Sequence, residues 1–235
     1  MKTFIIYTEP FTGDNSKKKA SRALKSAKKF GVDAELYKSV YFKDNDEAMK
    51  ELGIFSKYRG VRGRKTDFEK MTCPETRIAN GITHYKLYRW SVEKNEAVCI
   101  LEHDAEIVAP LPDPYYNSII QVSSHKKQQM TPKLLAQCGR ARKMEMHDPE
   151  AYKNIDMTWG DKKGTIKHPL NGTNGTSGYI VGPGAAAKLI HYIETEGVGF
   201  ADRVRLEHIQ PEGKLFLQVP QSVICHGDIK STQLR

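Results

Sequence analysis

Short apolar runs separated by longer polar stretches set the pattern of this chain. Phe4-Ile5-Ile6-Tyr7-Thr8 predicts a first strand, broken at Glu9-Pro10. From Asn15 or Ser16 to about Phe30, the residues Ala20, Ala23, Leu24, Ala27 and Phe30 recur at helical spacing, with Gly31 as the stop. Residues 32–37 predict a second strand and residues 44–52 a short helix. A longer helix is predicted to begin near His84, capped by Thr83 or its neighbours, with Leu87, Tyr88, Trp90 and Ser91 spaced around it. Val98-Cys99-Ile100-Leu101 is a continuous apolar run, as a strand buried on both faces requires. Residues 119–122 and 179–181 predict further strands, and Pro183-Gly184 opens a helix carrying Ala186, Leu189, Ile190 and Ile193. Strands alternating with helices define the α/β class.

The 235 residues suffice for one sizeable domain, and 39% hydrophobic with 28% charged residues is the balance of a soluble globular protein. No apolar run approaches the ~20 residues of a membrane span. The N-terminal apolar stretch is too short for a signal peptide. Four scattered cysteines at positions 73, 99, 138 and 225 fit reduced thiols in a cytoplasmic compartment and no structural zinc site. Residues 125–168 are polar, basic and weakly periodic, and read as an acceptor-facing insertion in a single domain spanning residues 1–235.

Charge adds a partner to the picture. Lys+Arg of 37 against Asp+Glu of 28 leaves +9, more than a nucleotide ligand can use, so a larger anionic partner is expected, a basic balance without any such partner being the other reading. Lys17, Lys18, Lys19, Arg22, Lys25, Lys28 and Lys29 occupy the first helix without an acid among them. Such a face is either merely solvated or lies along a phosphate backbone. Arg59, Arg62 and Arg64, in a glycine-rich loop with Tyr58, form one further basic group, and Lys126, Lys127, Arg140 and Arg142 another. Nucleic acid and phosphorylated lipopolysaccharide both suit these cations.

The chemistry begins where the apolar run at 98–101 ends, in Glu102-His103-Asp104. Open α/β sheets place ligands at the carboxyl ends of their strands. On an extended chain the two carboxylates point to one side, and two hard oxygen ligands suit Mn²⁺ or Mg²⁺ together with substrate phosphates. From the acid-x-acid pattern alone, a strand ending in solvated acids is the better reading.

The surroundings decide the matter. Gly81-Ile82-Thr83-His84 with Leu87 and Trp90, then Leu101-Glu102-His103-Asp104, then Gly178-Tyr179-Ile180-Val181 with Gly184-Ala185, follow one another in order. This resembles glycosyltransferase family 25, whose pattern runs roughly G-C-x-x-S-H-x-x-L-W, L-x-L-E-D-D and G-Y-x-I-S-x-x-G-A. Thr83 stands for the usual Ser, and His103 for the middle acid. Recognisable motifs cover residues 72–190 and, more loosely, both ends, where residues 215–220 and 223–229 resemble the family's closing strand segments.

The resemblance implies a GT-A-like (Rossmann-like) mixed sheet flanked by helices, and an inverting transfer from a nucleotide-sugar, a UDP-sugar first among the candidates. It also implies roles. Tyr7, Thr8 and Glu9 would contact the nucleotide, with Thr83, His84, Gly178 and Tyr179 as further donor-binding candidates; His84 reads equally as a structural residue. Asp104 would be the lead metal ligand, with Glu102 binding through water or holding the ribose. His226 is the third-ligand candidate, unless His226-Gly227-Asp228 is an ordinary turn. Asp202, in Phe200-Ala201-Asp202, is the base candidate, and Glu207 and Asp228 compete for that role. The acceptor is read as hydroxymethylated pyrimidine in DNA, ahead of lipopolysaccharide, and no protein partner is implied. A metal-dependent nuclease and a non-catalytic nucleic-acid-binding protein remain the readings of other classes.

Overall fold

The computed structural model describes residues 1–9, 16–57, 74–125, 177–199, 201, 214–217 and 222–226. In chain order these form β1 (Lys2–Tyr7), α1 (Ser16–Lys29), β2 (Ala34–Lys38), a 3-10 turn (Phe42–Asp44), α2 (Asn45–Leu52) and α3 (Pro74–Lys94). There follow β3 (Val98–Glu102), β4 (Ala105–Ile107), β5 (Ser118–Gln121), β6 (Ser123–His125), β7 (Gly178–Val181), α4 (Pro183–Glu196), β8 (Lys214–Leu217) and β9 (Val223–Cys225).

The main sheet has the order β2-β1-β3-β7-β5-β8, and a smaller sheet has the order β4-β9-β6. β1 lies between β2 and β3 and is parallel to both, while β7 runs antiparallel to β3 and to β5. The predicted mixed α/β sheet is therefore present. Among the described residues, no helix is long and apolar enough to cross a membrane.

Period-two alternation divides the core between the two faces of the sheet. Phe4, Ile6, Val98, Ile100, Tyr179 and Val181 join Ile78, Ile82, Tyr85 and Tyr88 of α3 and Leu189 and Ile193 of α4 in one cluster. Ile5, Cys99, Leu101 and Ile180 join Ala20, Ala23 and Ala27 of α1, with Ile107 and Val223 of the small sheet, in the other. With both faces covered, a strand such as β3 has no polar side to show, which explains its unbroken apolar run. Small residues alone, Ser16, Ala20, Ala23 and Ala27, form the fully buried line of α1, so this helix sits close against the sheet.

α1 ends as expected, with Gly31 in the left-handed region at φ 67° and its N–H donated to the Lys28 carbonyl at 3.1 Å. α3 does not begin as expected. It starts at Pro74, a residue suited to the first turn of a helix, so Thr83 and His84 lie in mid-helix and cap nothing. Gly81 looks like punctuation in the sequence, but it serves packing. A Cβ there would meet the Gly199 carbonyl oxygen at 2.1 Å, so glycine lets the helix pass against that backbone.

Candidate active site

Three parallel strands deliver their carboxyl ends to one edge. Ile6 of β1 pairs in register with Glu102 of β3, and Tyr7 pairs with Lys38 of β2. Beyond the strands, Thr8 donates its N–H to Ser16 Oγ at the start of α1 (3.0 Å), and Ser39 Oγ donates to Thr8 Oγ1 at 3.3 Å. Glu9 pairs with Lys17 at 3.0 Å and Lys38 at 3.8 Å. Its hydrogen bond to Lys17 raises that ammonium's pKa above the ordinary lysine value. Tyr7, Thr8, Glu9 and Glu102 thus share the edge that open α/β sheets use for ligands.

The acid-x-acid motif is not extended throughout. β3 stops at Glu102 and the chain turns at His103-Asp104, which corrects the expectation that strand alternation aims both acids to one side. Glu102 Oε1 has a long 3.5 Å contact from Asn80 Nδ2 of α3. Asp104 is held from β9 instead: its carbonyl accepts the His226 N–H at 3.1 Å, and its Oδ2 accepts the Cys225 thiol at 3.0 Å. The β4–β9 ladder, Ala105 opposite Cys225 and Glu106 opposite Ile224, fixes this arrangement. Asp104 Oδ1 is buried and has no hydrogen-bond partner among the described residues.

His226 is thereby placed beside Asp104, as its candidacy required. Its Nε2, however, is hydrogen-bonded to the Glu106 carboxylate, so only Nδ1 is left to face a ligand. Support runs both ways across the ladder: Cys225 from β9 holds Asp104, and Glu106 from β4 holds His226. Sequence reasoning passed over Cys225, Glu106 and Asn80. Their one advance signal was adjacency, since Cys225 precedes His226 and Glu106 lies two positions beyond Asp104.

Other candidates have structural positions. Thr83 is fully buried, its hydroxyl donating to the Ala79 carbonyl at 2.7 Å and accepting the Val40 N–H at 2.9 Å, so it ties the segment after β2 to α3. His84 is fully buried, stacked on Tyr179 with its Nδ1 2.5 Å from the Tyr179 hydroxyl, which lies 2.6 Å from that of Tyr88. This network joins α3 to β7 in the interior. With His84 in mid-helix, no helix N-terminus there faces a diphosphate. Gly178 is a packing residue: an added Cβ would meet Leu101 Cδ2 at 3.0 Å, Ser123 Cβ at 3.1 Å and Val223 Cγ1 at 3.3 Å. Asp202, Glu207, Asp228, Arg59, Arg62, Arg64, Lys126, Lys127, Arg140, Arg142 and nearly all of the expected 125–168 insertion lie outside the described residues.

A buried carboxylate oxygen with no donor is an unfavourable group unless a cation reaches it. With no donor among the described residues, Oδ1 of Asp104 is thus the oxygen at this edge open to a cation such as Mn²⁺ or Mg²⁺. Among the described residues, no three His, Cys, Asp or Glu side chains converge closely enough to hold an ion by themselves.

The site thus lies on a mixed α/β sheet flanked by helices, with acids beyond a central strand. Residues 14–202 match the model of glycosyltransferase family 25, described as an LPS biosynthesis protein, and the chain belongs to that family. The solved apo structure of mouse xyloside xylosyltransferase 1 is similar at 10% identity, covering 93% of this chain and 85% of its own, with a TM-score of 0.39. A comparison with curated proteins found no match.

Proposed function

We propose that this glycosyltransferase uses a nucleotide-sugar donor, a UDP-sugar first among the candidates, and transfers the sugar with inversion to a hydroxyl acceptor with Mn²⁺ or Mg²⁺ at Asp104. The partnerless, buried Oδ1 of Asp104 is the observation that carries this reading. Bound there, the ion would neutralise the leaving diphosphate as a Lewis acid. Asp104 holds its position through Cys225, and Glu102 stands at the same edge to bind through water or to hold the ribose. Tyr7, Thr8 and Glu9 receive the nucleotide at the end of β1. A carboxylate base, Asp202 by family resemblance, takes the acceptor proton. The acceptor oxygen then bonds to the anomeric carbon as the bond to the diphosphate breaks. One base and no covalent intermediate suffice.

For the acceptor, hydroxymethylated pyrimidine in DNA stands ahead of lipopolysaccharide because of the net charge of +9. The family's description favours lipopolysaccharide as the second reading. On a duplex, the base would have to leave the stack to reach the sugar.

A panel of nucleotide-sugars incubated with Mn²⁺ tests this reading. Hydrolysis of one donor, lost in Asp104→Ala, is the expected result, and stimulation by hydroxymethylcytosine DNA or by lipopolysaccharide identifies the acceptor. Cleavage of plain DNA without donor turnover would replace the transferase with a nuclease. Tight DNA binding without turnover of any donor would replace it with a binding protein.

A further inference from the structure

The exposed face of α1 carries one sign of charge, and the structure shows what surrounds it. Lys17, Lys18, Arg22, Lys25, Lys28 and Lys29 are all exposed, and the helix has no acid in its first turn. Lys17 belongs to the donor edge through Glu9. Among the described residues, Lys18, Arg22 and Lys25 form no ion pair. The neighbouring acids do not neutralise them, because Asp33 and Glu35 pair with Lys2 at 2.9 and 3.3 Å. Lys18, Arg22, Lys25 and Lys29 follow one another at intervals of four, three and four residues, and so form a stripe along one side of the helix. At ~1.5 Å per residue the stripe is roughly 16 Å long.

Its placement ties it to the site. Ser16, at the head of α1, holds the Thr8 backbone, and Ser26 Oγ accepts the Ile107 N–H of β4 at 2.9 Å. The stripe therefore starts beside the donor edge and continues past the strand that carries Glu106.

We infer that this stripe is the docking surface for the phosphate backbone of a double-stranded nucleic acid acceptor. The inference rests on the proposed transferase reading with a DNA acceptor and locates the surface on which that acceptor docks. Each strand of a duplex presents one negative charge per ~3.4 Å of axis, so the stripe spans roughly five phosphates of the strand it lies along. An anionic bilayer is the poorer match. Interfacial helices pair cations with an inserting apolar face, whereas the apolar line of α1, Ala20, Ala23 and Ala27, is spent on the protein core.

The test measures binding in the full-length chain carrying Asp104→Ala, so that failure of the chemistry and failure of docking are read separately. Fluorescence anisotropy with a duplex is compared in two further backgrounds of equal charge loss. One adds Lys18→Gln, Arg22→Gln and Lys25→Gln; the other adds Lys43→Gln, Lys50→Gln and Lys94→Gln, three exposed lysines on other elements. The stripe variant is expected to bind at least about tenfold more weakly and to flatten the slope of log K against log salt by about 2 to 3, at ~0.9 per lost phosphate contact. The control variant should keep the parent's slope. Equal losses in both variants would reduce the stripe to general attraction and overturn the inference. Unchanged duplex binding in the stripe variant, with lost binding to vesicles containing phosphatidylglycerol, would reassign the surface to a membrane and overturn it as well.

Discussion

The thiol of Cys225 donates to Asp104 Oδ2 at 3.0 Å, while Oδ1 of the same carboxylate is buried with no hydrogen-bond partner among the described residues. One oxygen is held and the other is left for a ligand. A cysteine 121 positions further along the chain thus sets how that acid faces the site.

Removing this support should weaken the ion more than it weakens the fold. Loss of an outer contact to a metal ligand typically costs about 10–100-fold in affinity. Cys225→Ala is therefore expected to raise the Mn²⁺ concentration for half-saturation, read by electron paramagnetic resonance, by at least tenfold on the same scale. Cys225→Ser, which keeps a donor, should recover most of it. Equal affinities for all three proteins would show that the contact does not position Asp104.

Tyr179 separates the structural from the donor-binding reading of the interior network. Tyr179→Phe deletes the hydroxyl shared by His84 and Tyr88, and a buried polar group deprived of its partner costs about 1–3 kcal/mol. Urea denaturation should show that loss, with the donor KM changed less than about twofold, since no binding energy is removed. A large rise in KM at unchanged stability would return Tyr179 to the donor site.

Gly178→Ala forces a methyl group against Leu101, Ser123 and Val223, where the nearest contact is 3.0 Å. Overpacking of this kind costs about 1–3 kcal/mol, so the melting temperature should fall by several degrees. An unchanged melting temperature would mean that the two sheets separate easily at this point.

Alkaline pH should unfold the protein from within. Burial raises the pKa of the Cys99 thiol to about 12, and burial with a 2.8 Å hydrogen bond to Glu194 raises that of the Tyr85 hydroxyl to about 12. Both groups stay protonated in the folded state and ionise earlier in the unfolded chain. Their stabilisation is whole below the unfolded values of 9.0 and 10.0, and is lost as pH rises toward about 12. Cys99 alone contributes a slope of about 1.4 kcal/mol per pH unit across that window. Denaturation midpoints at pH 8, 10 and 11 should fall for the parent, and less steeply for Cys99→Ala. Identical slopes would remove Cys99 from this account.

The sequence made the central strands legible because β1 and β3 are buried on both faces and so show unbroken apolar runs. It made α1 legible because small residues repeat on one side and Gly31 ends it. It misplaced the start of α3, since Gly81 and the polar residues before it imitate a loop. Only tertiary packing, the passage of α3 against the Gly199 carbonyl, explains a glycine in mid-helix. At the site, Glu102 and Asp104 were visible as acids beyond a strand. The turn at Asp104 and the partnership with Cys225 depend on the β4–β9 ladder, a pairing across 121 positions that no local pattern encodes.

The most direct test of the central claim is calorimetric titration of UDP into the protein with saturating Mn²⁺, for the parent chain and for Asp104→Asn. The account predicts metal-dependent binding by the parent and at least about a tenfold loss in the variant, as for removal of a ligand that bridges ion and diphosphate. Equal binding by both proteins, or binding indifferent to Mn²⁺, would contradict a metal-assisted donor site at the end of β3.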